Sequence, residues 1–192
     1  MNVPFVTTHH KIHIAQLWRL PEGGRPYTKE LIFRIVRDAA ASGAFPEGTE
    51  FNISIPAAGT ELLFSAWEAK QASLPIGKII AASNENRVLT DFFRTGRYVP
   101  DTEPKKTAIP LLDCGEFPAL GRLAAIPEMQ RREAFAAFSI SERRSRNMRE
   151  KVEEAFGVHL PLSTAAAYVA LQDHRCMTAD GLHAIILELE AE

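Results

Sequence analysis

The chain has 192 residues, of which 46% are hydrophobic and 24% charged, with a formal net charge of −2. These are globular proportions, and the length suits a single domain over residues 1–192 with a sizeable buried core. The charge balance gives no basic field for nucleic acid, no segment approaches a membrane span, and Met1-Asn2-Val3-Pro4 lacks a signal-peptide pattern. A cytoplasmic protein with neither a nucleic-acid nor a membrane partner is therefore expected, and Cys114 and Cys176 read as two reduced thiols without metal spacing.

Residues 1–25 are the least regular part. His9, His10 and His13 cluster, but no acidic or cysteine partner lies near, so a polar helix start is preferred over a metal site. The Pro- and Gly-containing run at 21–26 breaks the chain. Residues 27–42 then form an amphipathic helix, capped by Thr28, with Leu31, Ile32, Ile35, Val36 and Ala39 as its apolar stripe and Gly43 as its stop.

Residues 51–55, Phe-Asn-Ile-Ser-Ile, read as a strand, and residues 60–73 as a helix through Leu62, Leu63, Ala66, Trp67 and Ala69. Residues 78–82, Lys-Ile-Ile-Ala-Ala, form a buried parallel strand. Ser83-Asn84-Glu85-Asn86 is a polar break at its carboxyl end, followed by Val88, Leu89, Phe92 and Phe93 at helical spacing and by Gly96 as a stop. This strand-helix-strand-helix order predicts a right-handed crossover in a parallel sheet. Ligands of open α/β sheets bind outside strand carboxyl ends, which makes Asn84 and Asn86 site candidates.

Residues 97–115 read as a proline-punctuated loop of the kind that covers a site. Short helices are expected over 117–126 and 129–137, and a strong one over 141–156, whose Arg143, Arg144, Arg146 and Arg149 pair with the glutamates of the same helix. Gly157 stops that helix. Ser163 is expected to cap an Ala-rich helix over 164–174, and residues 183–189 form a final strand. The fold class is α/β: three layers, with a short, mainly parallel sheet and helices on both faces.

The stretch 74–98, with its Leu74-Pro75-Ile76, Ala82-Ser83-Asn84-Glu85-Asn86 and Phe92-Phe93-Arg94-Thr95-Gly96 segments, closely resembles threonine synthases. These are pyridoxal-phosphate enzymes of the tryptophan-synthase-β-like fold. His10-Lys11-Ile12-His13-Ile14-Ala15-Gln16-Leu17 resembles a family segment that opens a helix near the cofactor, with histidines in place of two asparagines. Residues 158–171 resemble the Leu-Asp-Pro-His-Thr-Ala segment, with Pro161 and Ser163 replacing its acidic residue and histidine. Ser163 and Thr164 thereby join Asn84 and Asn86 as ligand-binding candidates.

The resemblance places the family's glycine-rich phosphate loop at Ala58, Gly59, Thr60 and Glu61, where two glycines have become Ala58 and Glu61. Ala58 resists positive φ and close backbone approach. Glu61 brings a carboxylate to the first helical turn, where it would satisfy the N–H groups and dipole that a phosphate uses and repel a dianion. No catalytic lysine is assigned. The resemblance covers the latter part of such an enzyme. It implies a truncated, degenerate threonine-synthase-like domain without independent catalysis, acting as a binding or interaction module. No cofactor is expected for the chain alone. Pyridoxal phosphate would enter with a complementing lysine-bearing domain, making a split enzyme that converts O-phosphohomoserine to threonine. A homo-oligomer, or a sensor for an amino acid or small anion, are the other partner readings.

Overall fold

A computed structural model describes residues 2–6, 14–20, 29–43, 45–117 and 119–189. The described residues build a six-stranded sheet in the order β1-β2-β6-β3-β4-β5, formed by β1 (Asn2–Val6), β2 (Ile14–Arg19), β3 (Phe51–Pro56), β4 (Ile76–Ser83), β5 (Phe135–Ser139) and β6 (His183–Glu188). Only the β1–β2 pair is antiparallel; β2–β6, β6–β3, β3–β4 and β4–β5 are parallel. The expected α/β architecture with a short, mainly parallel sheet is the one observed.

Every residue of β3 is buried, as the rule for parallel strands covered on both faces requires. Two helices, α1 (Lys29–Ala41) and α2 (Thr60–Gln71), pack on each other and on one face. Ile32, Ile35, Val36 and Ala39 supply the buried stripe of α1, as their spacing predicts. On the other face lies α7 (Leu162–Thr178), covered in turn by α6 (Glu142–Phe156). Because α7 is enclosed by sheet and helix, it is buried around most of its circumference and its small residues carry no polar face. Ser54 Oγ donates to Ala167 O at 2.7 Å, so a strand hydroxyl is satisfied by the helix backbone.

Beyond β4, α3 (Val88–Thr95) ends on Gly96 with φ 75°, and α6 ends on Gly157 with φ 65°, both in the left-handed region that favours glycine. The expected 97–115 loop is irregular apart from a 3₁₀ turn at Pro110–Leu112. It is followed by α4 (Leu120–Ala124) and α5 (Glu128–Ala134). On α6, Arg146 pairs with Glu142 at 2.8 Å as its spacing predicts, whereas Arg144 reaches across to Asp173 of α7 with bonds of 2.7 and 2.6 Å.

Three local expectations are corrected. Residues 14–19 are a strand rather than part of a helix opening near residue 10, because β6 offers a pairing edge for Ala15 to Arg19. Residues 135–137 leave the expected helix and form β5, paired to β4 from Ile79↔Phe135 to Ser83↔Ser139. Ser163 does not cap its helix: α7 begins at Leu162, with Pro161 at the capping position (φ −54°, ψ 147°) and no side-chain cap. The histidine cluster at residues 9, 10 and 13, the break at 21–26 and the Thr28 cap lie outside the described residues.

Candidate functional site

The parallel strands β3, β4 and β5 deliver Pro56, Ser83 and Ser139 to one edge of the sheet. Passing from Asn52 to Ser54 along β3, the partners change from Asp180, beyond α7, to Ala167 within it. Helix α7 therefore runs against the strands, and its N-terminus, with Ser163 and Thr164, arrives at the same carboxyl edge. So does the N-terminus of α2, entered through a 3₁₀ turn at Ala57–Gly59 that packs on the Pro110–Leu112 turn. The topology thus gathers all the sequence-derived candidates at the edge where α/β sheets bind ligands.

Asn84 and Asn86 are buried there in a closed polar network. Asn84 Nδ2 donates to Thr107 Oγ1 at 2.9 Å and to Asp113 Oδ1 at 2.6 Å. Its Oδ1 accepts from Asn86 N at 2.9 Å and from Asn86 Nδ2 at 3.0 Å. Asn86 Nδ2 also donates to Lys105 O, and Asn86 Oδ1 accepts from Lys105 N at 2.7 Å. Asp113 takes two further bonds from Thr107, through its N and its Oγ1, at 2.7 Å each. The network pins the 105–113 loop onto the end of β4. A buried amide has few donors and acceptors, and here protein atoms engage them. Sequence reasoning found the two asparagines but not Thr107 or Asp113, which lie in a loop with no periodic signal.

At the position of the family's phosphate loop, Thr60 is buried and Ala58 half-buried. Glu61 does not turn back to the first-turn N–H groups. Its Oε2 accepts from Arg122 Nη1 at 2.9 Å, and the Arg122 guanidinium lies 3.9 Å from the Phe64 ring centroid. The expectation that Glu61 would occupy the phosphate's donors is corrected: a cation stacked on an aromatic ring draws the carboxylate to the surface.

Ser163 and Thr164 are fully buried, and neither Ser163 Oγ nor Thr164 Oγ1 has a hydrogen-bond partner among the described residues. A buried hydroxyl left unpaired costs about 1–3 kcal/mol. Two of them in the first turn of α7, where N–H groups also lack intrahelical acceptors, make this corner the least satisfied part of the edge.

A second polar cluster, not anticipated from the sequence, lies at the opposite, amino edge. Asp180 Oδ2 accepts from Asn52 Nδ2 at 2.7 Å and lies 3.2 Å from His174 Nε2, while Lys78 N donates to Asn52 Oδ1 at 2.7 Å. Burial holds His174 below the usual imidazole value, against the opposing pull of Asp180. Burial and the nearby Lys70 lower Lys78. Burial alone would raise Asp180, but hydrogen bonds from Asn52, Leu182 N and His174 hold it below its usual value. These groups close the bottom of the sheet and are remote from the candidate site.

A covalent cofactor link needs a desolvated lysine amine aimed at the cofactor's aldehyde. Lys70 Nζ is bonded to Ile76 O and Gly77 O, and Lys78 Nζ to Arg132 O and Glu133 O, all around the amino edge. Lys105 Nζ pairs with Glu85 in solvent. These amines do not fit that role. The two helix N-termini and the hydroxyls of Thr60, Ser163 and Thr164 are a donor set that suits an anion. Among the described residues no group of three or more His, Cys, Asp or Glu is placed to hold a metal ion. Nor is any helix among them long and apolar enough to cross a membrane. Cys114 and Cys176 are not disulfide-bonded.

The fold is the tryptophan-synthase-β-like one of solved threonine synthases. The PLP-bound threonine synthase of Brucella melitensis superposes with a TM-score of 0.74 at 19% identity, over 85% of this chain and 40% of that one. The threonine synthase of Escherichia coli gives 0.70 at 19% identity, over 85% and 37%. More particularly, the chain is similar in sequence to threonine synthase-like 1 of Macaca fascicularis, 39% identical over 71 residues, and of Homo sapiens, 38% identical over 71 residues. The matched stretch is 37% of this chain and 9% of either relative. No protein-family model matches the chain.

Proposed function

We propose that the chain is a degenerate threonine-synthase-like unit without independent catalysis, a binding module whose ligand site lies buried beneath the carboxyl edge, at Gly59, Thr60, Ser163 and Thr164. The single observation that carries this reading is the contrast along that edge. Asn84 and Asn86 are engaged in holding a loop, whereas the Ser163 and Thr164 hydroxyls are buried and unpaired. Unpaired donors beside helix N-termini favour a small anion or the carboxylate of an amino acid. Lys70, Lys78 and Lys105 are each bonded to other partners, and no lysine is assigned a covalent cofactor link in this reading.

The test is twofold. Incubation with pyridoxal phosphate is expected to give no absorbance band near the visible edge that disappears on replacing one particular lysine; such a band would overturn the non-catalytic reading. A thermal-shift screen of amino acids and phosphates is expected to raise the melting temperature, because a ligand that binds only the folded state stabilises it by mass action. No shift with any of them would remove the binding-module reading.

A threonine synthase completed by a separate, lysine-bearing part is the second reading, favoured by the superposition of this chain on a PLP-bound threonine synthase with a TM-score of 0.74. A lysine-bearing partner would then restore phosphate release from O-phosphohomoserine. Absence of both a complex and activity at micromolar concentrations of the two chains would end that reading.

A further inference from the structure

A concavity lies outside the sheet edge, between α3 and the strap at residues 97–101. Its volume is about 630 Å³, within the range of small-molecule sites. Arg87, Asp91, Arg94, Arg97, Val99 and Asp101 are among its lining residues. None of them belongs to the candidate site described above.

The strap is fixed in place. Gly96, at φ 75°, turns the chain out of α3, and Arg97 N donates to Thr95 Oγ1 at 3.2 Å. Phe117 N donates to Tyr98 Oη at 3.3 Å. Asp101 N donates to Gly115 O at 3.0 Å, an approach so close that a Cβ on Gly115 would stand 1.8 Å from Asp101 O. The backbone wall of the cleft is therefore fixed by contacts within the protein.

Its charges are unbalanced. Arg94 Nη2 and Arg87 Nη2 share one carboxylate oxygen, Asp91 Oδ1, at 3.1 and 3.6 Å. Asp101 Oδ1 accepts a backbone bond from Glu103 N. The Arg97 guanidinium has no carboxylate partner among the described residues, and Val99 is exposed. Each guanidinium carries five donors in a planar fork that matches carboxylate or phosphate. A solvated arginine face is the ordinary reading of such residues on a helix. The pinned backbone strap along one side of this open cleft, together with the apolar Val88, Val99 and Pro100 in its lining, sets this face apart.

We propose that this cleft binds a small organic oxyanion, a carboxylate or phosphate monoester with a short apolar body. Arg94 and Arg97 hold the acid group, and Val88 and Val99 cover the apolar part. Calorimetric titration of the full chain with phenyl phosphate, phenylacetate and inorganic phosphate, at constant ionic strength, tests it and separates the two acid chemistries. Phenyl phosphate or phenylacetate is expected to saturate the protein and to bind more tightly than inorganic phosphate. Arg94→Ala and Arg97→Ala are each expected to weaken that binding about tenfold or more. Arg37→Ala, on the distant α1, is expected to leave it unchanged, and Ser163→Ala reports separately on any binding of the same anions at the sheet edge. Thermal melts confirm that each variant is folded. Absence of saturable binding, equal loss in Arg37→Ala, or loss in Ser163→Ala with none in the two cleft variants would each overturn the assignment.

Discussion

Asn84 Nδ2 lies 2.6 Å from Asp113 Oδ1, and through that bond the carboxyl end of β4 holds the 105–113 loop. The same carboxylate also accepts from Thr107 N and Thr107 Oγ1. Asp113→Asn would turn an acceptor-only group into one that presents N–H donors to other donors. The variant is expected to lose about 1–3 kcal/mol of stability. Urea denaturation measures the loss, and limited proteolysis within 97–117 shows whether the loop has come away from β4. An unchanged midpoint together with an unchanged cleavage pattern would mean that the network does not hold the loop.

Gly115 is required for steric reasons, since a side chain there meets the backbone of Asp101 and not a movable side-chain tip. Gly115→Ala is expected to cost about 1–3 kcal/mol, the usual range for overpacking. Tyr98, exposed within the strap and bonded to Phe117 N, reports on the displacement through its ring resonances in an NMR spectrum. Stability and ring shifts equal to the parent's would contradict the close approach.

At the N-terminus of α7 the expected change is a gain. Thr164→Val removes an unpaired buried hydroxyl at nearly constant shape, so the ligand-free protein is expected to become more stable, by up to about 1–3 kcal/mol. The same variant is expected to lose any thermal shift produced by an anion or amino acid at the carboxyl edge. That pairing of higher stability with lost binding is characteristic of a binding site and foreign to a packing defect. Destabilisation on replacement would show that the hydroxyl is already satisfied.

How much of this could be read from the chain depended on where each element's partners lie. The β3-α2-β4-α3 series was legible because the apolar runs of β3 and β4, and the stop at Gly96, are local features. β5 was not, because Phe135-Ala136-Ala137-Phe138 suits a helix as well as a strand, and only the edge of β4 decides between them. β2 likewise takes its conformation from β6, at the other end of the sequence. Within the site, Asn84 and Asn86 stood out as polar residues after a buried strand. Asp113, which fixes their role, sits in a proline-rich loop and becomes significant only once that loop folds back. Ser163 resembled a cap because it precedes an Ala-rich run; with Pro161 at the capping position the helix begins earlier and carries the serine inside.

The amino edge sets the acid sensitivity of the fold. His174 and His183 both titrate below the ordinary histidine value of 6.5 in the folded protein, mainly through burial, with Arg175 adding to the effect at both. The groups facing His174 are Asp180, which favours its charged form, and Lys78 and Arg175, which oppose it. Lowered imidazole values mean that, as pH falls through 6.5, the unfolded chain takes up protons that the folded chain refuses. Their contribution to stability is therefore complete above 6.5 and is lost as pH falls below it toward the folded-state values. Asp180, also lowered, adds a separate loss only below its ordinary value of 3.8. Urea unfolding at pH 8, 7, 6 and 5 is expected to show stability falling across the lower half of this range. The double variant His174→Gln, His183→Gln is expected to flatten that slope. A parent protein equally stable at pH 5 and pH 7 would show that neither imidazole is held neutral by the fold.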